Sequence, residues 1–361
     1  MESINKKYSS PAQSNKELYA SDTEAALPVV IASSVVRSTQ KGESHGGVYL
    51  INMNNGDYEQ VIDWNDPTIS WEGRGADRGL RGIAFWKDRI YLAASNEIFV
   101  FNQSFQIIDS LTNPYLNHCH EIDIHDGHLY LTSTGFDSIL EVDLNEHQFT
   151  RGITLRMSSS RHFGSRILRR LNATSTRITP RLSTFDPQGS DGPEPGDQLH
   201  INSVIADARG LFVSGRRLGG LLHVNASEPG DERLVKHWPT PFGTHNVIPI
   251  DAIQAAGCTL MNDTNRDEVV VVDERGRRLT TCALPKYDEH ELEYNDIPKD
   301  HARQGFGRGL CQWKEEVVIV GSSPATVSAY KLSSGKRVAS VNLTMDVRNA
   351  VHGLEVWPFQ A

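Results

Sequence analysis

One feature limits what this chain can become: a degenerate repeat of strand, tight polar turn and second strand. Leu80-Arg-Gly-Ile-Ala-Phe-Trp-Lys-Asp-Arg-Ile-Tyr-Leu-Ala-Ala-Ser matches Gly307-Arg-Gly-Leu-Cys-Gln-Trp-Lys-Glu-Glu-Val-Val-Ile-Val-Gly-Ser. Arg81 falls on Arg308, Gly82 on Gly309 and Trp86 on Trp313. The segment from His120 carries the same pattern, with Asp126-Gly127 as its hairpin turn. The segment from His200 does so again. Third strands follow at Ile98, Ile139, Leu221, Val269 and Val327, each leading to a turn and a fourth strand. A four-stranded unit of about 40 residues is a propeller blade.

The units start at Arg81, His120, His200, His245, Arg308 and His352. The last holds one strand, from Val351, while the N-terminus supplies three strands at Val29, Gly47 and Glu59 with none before them. Joined, they complete one blade and leave few open edges. The expectation is an all-β, six-bladed β-propeller closed by strands from both termini. The step from His120 to His200 is too long by about one blade. The excess falls in 156–197, which lacks alternation and reads as an inserted loop. A smaller insertion covers 286–304, and residues 1–26 read as a flexible lead-in to a single domain over 27–361. Ser165 to Leu171 is a candidate short helix.

Composition narrows the function. Among 361 residues, a net charge of -9 argues against a nucleic-acid partner. No signal peptide or membrane span is visible, and Cys119, Cys258, Cys282 and Cys311 form no CxxC pair. A reducing cytoplasm is the expected compartment, with no membrane partner and no nucleotide cofactor.

The phrases His120-Glu-Ile, His200-Ile-Asn202, His245 before a strand, and Phe306-Gly-Arg308-Gly-Leu recur in a fixed order. In that order they resemble a large, poorly characterised bacterial propeller family, over roughly 80–325. That family usually has His-Ser-Pro at the third phrase, where this chain has His245-Asn-Val-Ile-Pro249. The resemblance implies the propeller fold and a site at these phrases, and no particular reaction. The architecture is more distantly similar to gluconolactonase-like propellers, which hold a divalent cation mainly through carboxylate and Asn oxygens. Imidazoles stand here instead, so that activity is not carried over.

Residues at the start of each first strand gather at one mouth of a propeller's central channel. There the repeat collects Arg81, His118 or His120, Glu121, His200, Asn202, His245, Asn246, Arg308 and His352. Such convergence is the default binding-site hypothesis. Three readings follow. His120, His200, His245 and His352 could ligate a transition metal (Fe, Zn, Mn or Cu), with Glu121, Asn202 and Asn246 orienting them. Alternatively, histidines exchange protons while Arg81 and Arg308 clamp a carboxylate or phosphate. In the third, polar residues merely seal the ring of a non-catalytic scaffold or sensor.

The leading expectation is an enzyme for a small polar or anionic molecule, with metal the first reading. Its catalytic residues are His120, His200, Arg81, Arg308 and Glu121. Asn202 and Asn246, with the two arginines, bind substrate. Cys119 is expected to be a buried structural thiol and Cys311 core. Asp263 and Asp267 read as a solvated turn, and His45, His162, His237, His290 and His301 as loop residues. The 156–197 loop is locally basic, from Arg156 to Arg181, which suits a lid or a surface for an acidic partner.

Overall fold

A computed structural model of the chain describes residues 16–18, 26–39, 42–65, 79–156, 180–225, 232–250, 257–299 and 302–359. Its strands form six antiparallel sheets arranged as a six-bladed β-propeller. Blade 1 joins the two ends of the chain: Asn349–Val356 lies innermost, followed by Val29–Val36, Gly47–Asn52 and Tyr58–Asp63. The innermost strands of blades 2 to 6 are Ile83–Trp86, Ile122–His125, Ile201–Asp207, Thr244–Ile250 and Gly305–Trp313. The closure and the third strands fall where the repeat places them. The one described helix is a single 3-10 turn, Thr134–Phe136.

Each seam between neighbouring blades has its own apolar core. Val30, Ile51, Val327 and Leu354 join blades 1 and 6, and Ile31, Val48, Leu92 and Phe101 join blades 1 and 2. Similar clusters fill the other four seams. Alternation along each strand supplies residues to both faces of its sheet, so every blade is covered on two sides. Removing such a side chain from water stabilises the fold by roughly 1.5–3 kcal/mol.

Two blades gain a fifth strand from segments without a strand signal. Lys16–Leu18, inside the lead-in expected to be flexible, pairs with the outermost strand of blade 6, Lys16 opposite Val341. Arg181–Phe185, inside the 156–197 insertion, pairs with Gln148–Arg156 of blade 3. Both cover an otherwise open edge. Residues 157–179, with the candidate helix and most of the basic run, lie outside the described residues, as do His162 and His301.

Four of the six inner strands share one local distortion. The ladder slips by a residue at Asn202, at Asn246, at Gly309, and again around His352 and Gly353. A β-bulge puts two successive residues opposite one and turns consecutive side chains the same way. Simple alternation would instead send them to opposite faces. At glycines near the strand starts, neighbouring inner strands pack without a side chain between them. A Cβ on Gly353 would lie 2.2 Å from the Arg81 carbonyl oxygen, and one on Gly82 would lie 2.8 Å from the Glu121 Cα.

Candidate functional site

At the mouth, His120 is buried, and its ring centroid lies 5.3 Å from that of His200 and 6.5 Å from that of His352. Sequence left His118 and His120 unresolved; the structure separates them. His118 takes a left-handed φ of 54° and stays partly exposed. Its carbonyl accepts the Nδ1 proton of His120 at 2.8 Å.

The tautomers of His120 and His245 follow from their partners. His120 Nδ1 lies 3.0 Å from Thr134 Oγ1, whose own hydrogen goes to the Ile201 carbonyl of the next blade. His245 repeats this with the Gly243 carbonyl at 3.1 Å and Thr264 Oγ1 at 3.0 Å, Thr264 donating to the Gly307 carbonyl. Each Nδ1 meets only acceptors and carries the proton, which leaves Nε2 as a free lone pair. Nε2 of His245 is buried without a hydrogen-bond partner.

His200 is held differently. The repeat aligned it with the strand starts, but the residue in register with His245 and Arg308 is Ile201. His200 stands one step earlier and reaches the mouth through a φ of 55°. Asp137 accepts its backbone N–H at 3.0 Å, and both oxygens of Asp197 lie 3.0 Å from its Nδ1. Arg217 steadies Asp197 through the backbone carbonyl and a carboxylate oxygen. With 19% of its side chain exposed, His200 is the accessible member of the His120–His200 pair.

Burial and surrounding guanidiniums keep these rings neutral. The pKa values of His120, His245 and His352 are all held well below the ordinary histidine value, first by desolvation, then by Arg81 or Arg308. That of His200 is lowered too, by burial, with Asp197 opposing.

Arg308 is the least compensated charge. It is 8% exposed, and among the described residues its side chain has no ion pair or hydrogen bond. Its carbon Cζ lies 4.6 Å over the Phe306 ring, which Arg37 also covers at 4.1 Å and Arg303 at 5.4 Å. Desolvation, then Arg37, Arg81 and Arg216, push its pKa down, yet a guanidinium starts too high to lose its proton at neutral pH.

One layer deeper stand the bulge residues. Asn246 Nδ2 donates to Glu121 Oε1 at 2.6 Å, and Asn246 Oδ1 accepts from Asn262 and from the Gly309 N–H. Asn202 donates to the Thr244 carbonyl, while its Oδ1 is buried without a partner. Burial pushes the Glu121 carboxyl up to about 8, so it holds a proton at neutral pH. Beyond it, Glu121, Asp123, Asn246 and Glu355 line a cavity of about 220 Å³.

The structure thus gathers Arg81, His120, His200, His245, Arg308 and His352, with Glu121, Asn202 and Asn246 one layer down. Sequence reasoning missed Arg37, Arg216, Asp197, Thr134 and Thr264, and had Phe306 only as part of the phrase around Arg308. Arg37, Thr134, Arg216 and Thr264 each follow a second strand directly, at the end that faces the mouth, and that position was their signal. Cys119 is buried with its thiol pushed up to about 12, and Cys311 is core. The expected solvated turn at Asp263 and Asp267 is instead an ion-paired one: Asp263 is buried beside Arg266 and Arg278, and Asp267 binds Arg303 at 2.6 Å. His45, expected as an ordinary loop residue, is buried, with Thr39 Oγ1 3.2 Å from its Nδ1.

No family model and no curated protein matches the chain. Among solved structures it is similar to a protein of unknown function from Bacteroides caccae: 11% identity, TM-score 0.49, covering 91% of this chain and 98% of that one. It is similar also to apo AztD from Citrobacter koseri: 10% identity, TM-score 0.45, with coverage of 91% and 98%. A third is a catalytically inactive virginiamycin B lyase from Staphylococcus aureus with quinupristin: 8% identity, TM-score 0.41, covering 73% and 70%. At these values no function passes to this chain. The six-bladed ring agrees with the fold that the sequence resemblance implies.

Proposed function

We propose that this chain binds a small organic anion at the imidazole-lined mouth and acts on it by proton transfer. The observation that carries this reading is Arg308, nine-tenths buried with no ion pair among the described residues and close enough to Arg37, Arg81 and Arg216 to feel their charge. A buried unpaired charge is strongly destabilising. A carboxylate or phosphate oxygen between the guanidiniums supplies the missing charge and the missing acceptors.

Acid and base roles follow from environments that hold a proton on one group and off another. His200 takes a proton at Nε2, and the Asp197 carboxylate at Nδ1 steadies the imidazolium that forms. Glu121, protonated through its raised pKa, returns one proton from the oxygen that Asn246 does not hold. Solvent then resets His200 and Glu121. Arg81 and Arg308 hold the anionic group, and His120, His245 and His352 line the pocket as neutral bases.

A second reading keeps a transition metal on the imidazoles. The free Nε2 lone pairs of His120 and His245 favour it. Against it, the guanidinium shell repels a cation, and among the described residues no three His, Cys, Asp or Glu side chains are grouped to hold one. A non-catalytic sensor remains the contrasting class. Among the described residues no helix is long and apolar enough to cross a membrane. The cytoplasmic location and an acidic partner for the 156–197 loop stay part of this proposal.

The test is a panel of small carboxylates and phosphate esters incubated with wild type, His200→Gln and Glu121→Gln, with consumption followed by NMR. Turnover of one compound by wild type, lost in both variants while binding persists, supports the reading. Binding without turnover moves the protein to the sensor class, and binding that survives Arg308→Met sinks the anion site.

A further inference from the structure

A second cavity opens on the same face, at the rim between blades 4 and 5. Arg216, Arg217, Phe242, Gly243 and Asn265 line about 370 Å³, within the size range of small-molecule sites. Its aromatic member is out of place for a plain surface, because Phe242 is 47% exposed. Its segment is nevertheless fixed: Asn265 Nδ2 donates to the Phe242 carbonyl at 2.8 Å, and the Gly243 N–H donates to the Arg216 carbonyl at 2.9 Å. The φ of 90° at Gly243 makes the turn that puts Phe242 outward and His245 inward. The Gly243 carbonyl is the one that orients His245, so both sites share a wall.

Two arginines line the pocket with the ring. Arg217 is occupied with Asp197, whereas the side chain of Arg216 has no ion pair or hydrogen bond among the described residues. Arg216 also bears electrostatically on Arg308 and His245, which puts it between the rim and the mouth. An exposed phenyl ring on a fixed backbone, in one pocket with an unpaired guanidinium, is a surface for a planar π-system, stacked on one and capped by the other.

We infer that this rim pocket holds an aryl or heteroaryl group carried by the same anion whose acidic group sits on Arg308. The inference rests on the mouth being an anion site and names the substrate class: an aromatic carboxylate or aromatic phosphate. A ring seated on Phe242 delivers the group attached to it past Arg216 towards His245 and His200.

The experiment compares two probe pairs by calorimetric titration of the full chain: inorganic phosphate with phenyl phosphate, and acetate with phenylacetate. The aromatic member is expected to bind about tenfold tighter in at least one pair, in line with stacking plus cation–π contact. Phe242→Ala should erase that advantage and leave the smaller anion unchanged, while Phe242→Trp keeps it. Because Phe242 is exposed, the fold should tolerate both changes. Equal affinity within each pair, or an aromatic advantage that survives Phe242→Ala, overturns the rim pocket and leaves the mouth intact. No binding by any of the four probes overturns the mouth reading, and this inference with it.

Discussion

Replacing Arg308 by Met should make the protein more stable and less able to bind anions. Methionine keeps an unbranched apolar stem, ends about two atoms short of the guanidinium tips and removes the charge. A like charge within about 8 Å, at an effective dielectric near 20, costs about 2 kcal/mol. Arg37, Arg81 and Arg216 all act on Arg308 in that sense. Glu121 offsets little at neutral pH, because its carboxyl, raised to about 8, is mostly protonated there. The contact with Phe306 returns roughly 1–2 kcal/mol. Three such repulsions less that contact predict a gain of at most about 4–5 kcal/mol for Arg308→Met, or roughly 5–7 °C in Tm for a chain of 361 residues. Inorganic phosphate at about one hundred times its Kd should stabilise wild type by about 2.7 kcal/mol and the variant by almost nothing. Thermal scans with and without phosphate measure both effects. A variant that melts several degrees lower than wild type, yet keeps the full phosphate shift, would refute the reasoning.

Other predictions follow from neighbouring residues. The Glu121 carboxyl is raised to about 8 from 4.5, so the folded chain holds a proton that the unfolded chain has lost. Stability therefore falls as pH rises from about 4.5 to about 8, by at most about 1.4 kcal/mol per pH unit from this group. Glu121→Gln should flatten that part of a denaturation-versus-pH curve, and an unchanged slope would show that Glu121 ionises normally. Asp197→Asn removes the group that raises the pKa of His200, so an NMR titration should find that imidazole pKa lower than in wild type; an equal value would mean that the pair does not form. Gly353→Ala puts a methyl group 2.2 Å from the Arg81 carbonyl oxygen and should cost about 2–4 kcal/mol, read from the urea midpoint. A variant as stable as wild type would mean that the inner strands of blades 1 and 2 are less tightly packed. Metal analysis of untagged protein should find well under one equivalent of Fe, Zn, Mn or Cu; a full equivalent that is lost in His120→Ala would restore the metal reading.

The blade pattern was legible because it is local. Alternation and Asp-Gly turns sit within a few residues of one another, and the unmatched strands at the two ends add to one blade. The two fifth strands were not legible, since Lys16–Leu18 and Arg181–Phe185 have no strand-like alternation and pair through the backbone with distant edges. At the mouth, the repeat found the histidines and both channel arginines but misread how they are displayed. Alternation sends Glu121 away from His120, and the folded ring bonds it to Asn246 one layer below the histidines. His200 arrives through a left-handed residue instead of the shared strand position. Asp197 closes an irregular insertion, and Arg37 and Arg216 come from second strands, so only the folded ring brings them to Arg308.

The most direct test of the central claim is long-range ¹H–¹⁵N NMR of the histidine ring nitrogens during titration with inorganic phosphate. The account predicts that His120, His200, His245 and His352 begin as neutral rings, with Nδ1 protonated in His120 and His245. Their signals should then move together and saturate, while the exposed His147 and His290 stay fixed. Shifts confined to the exposed histidines, or mouth rings that are already charged at neutral pH before phosphate is added, would contradict it.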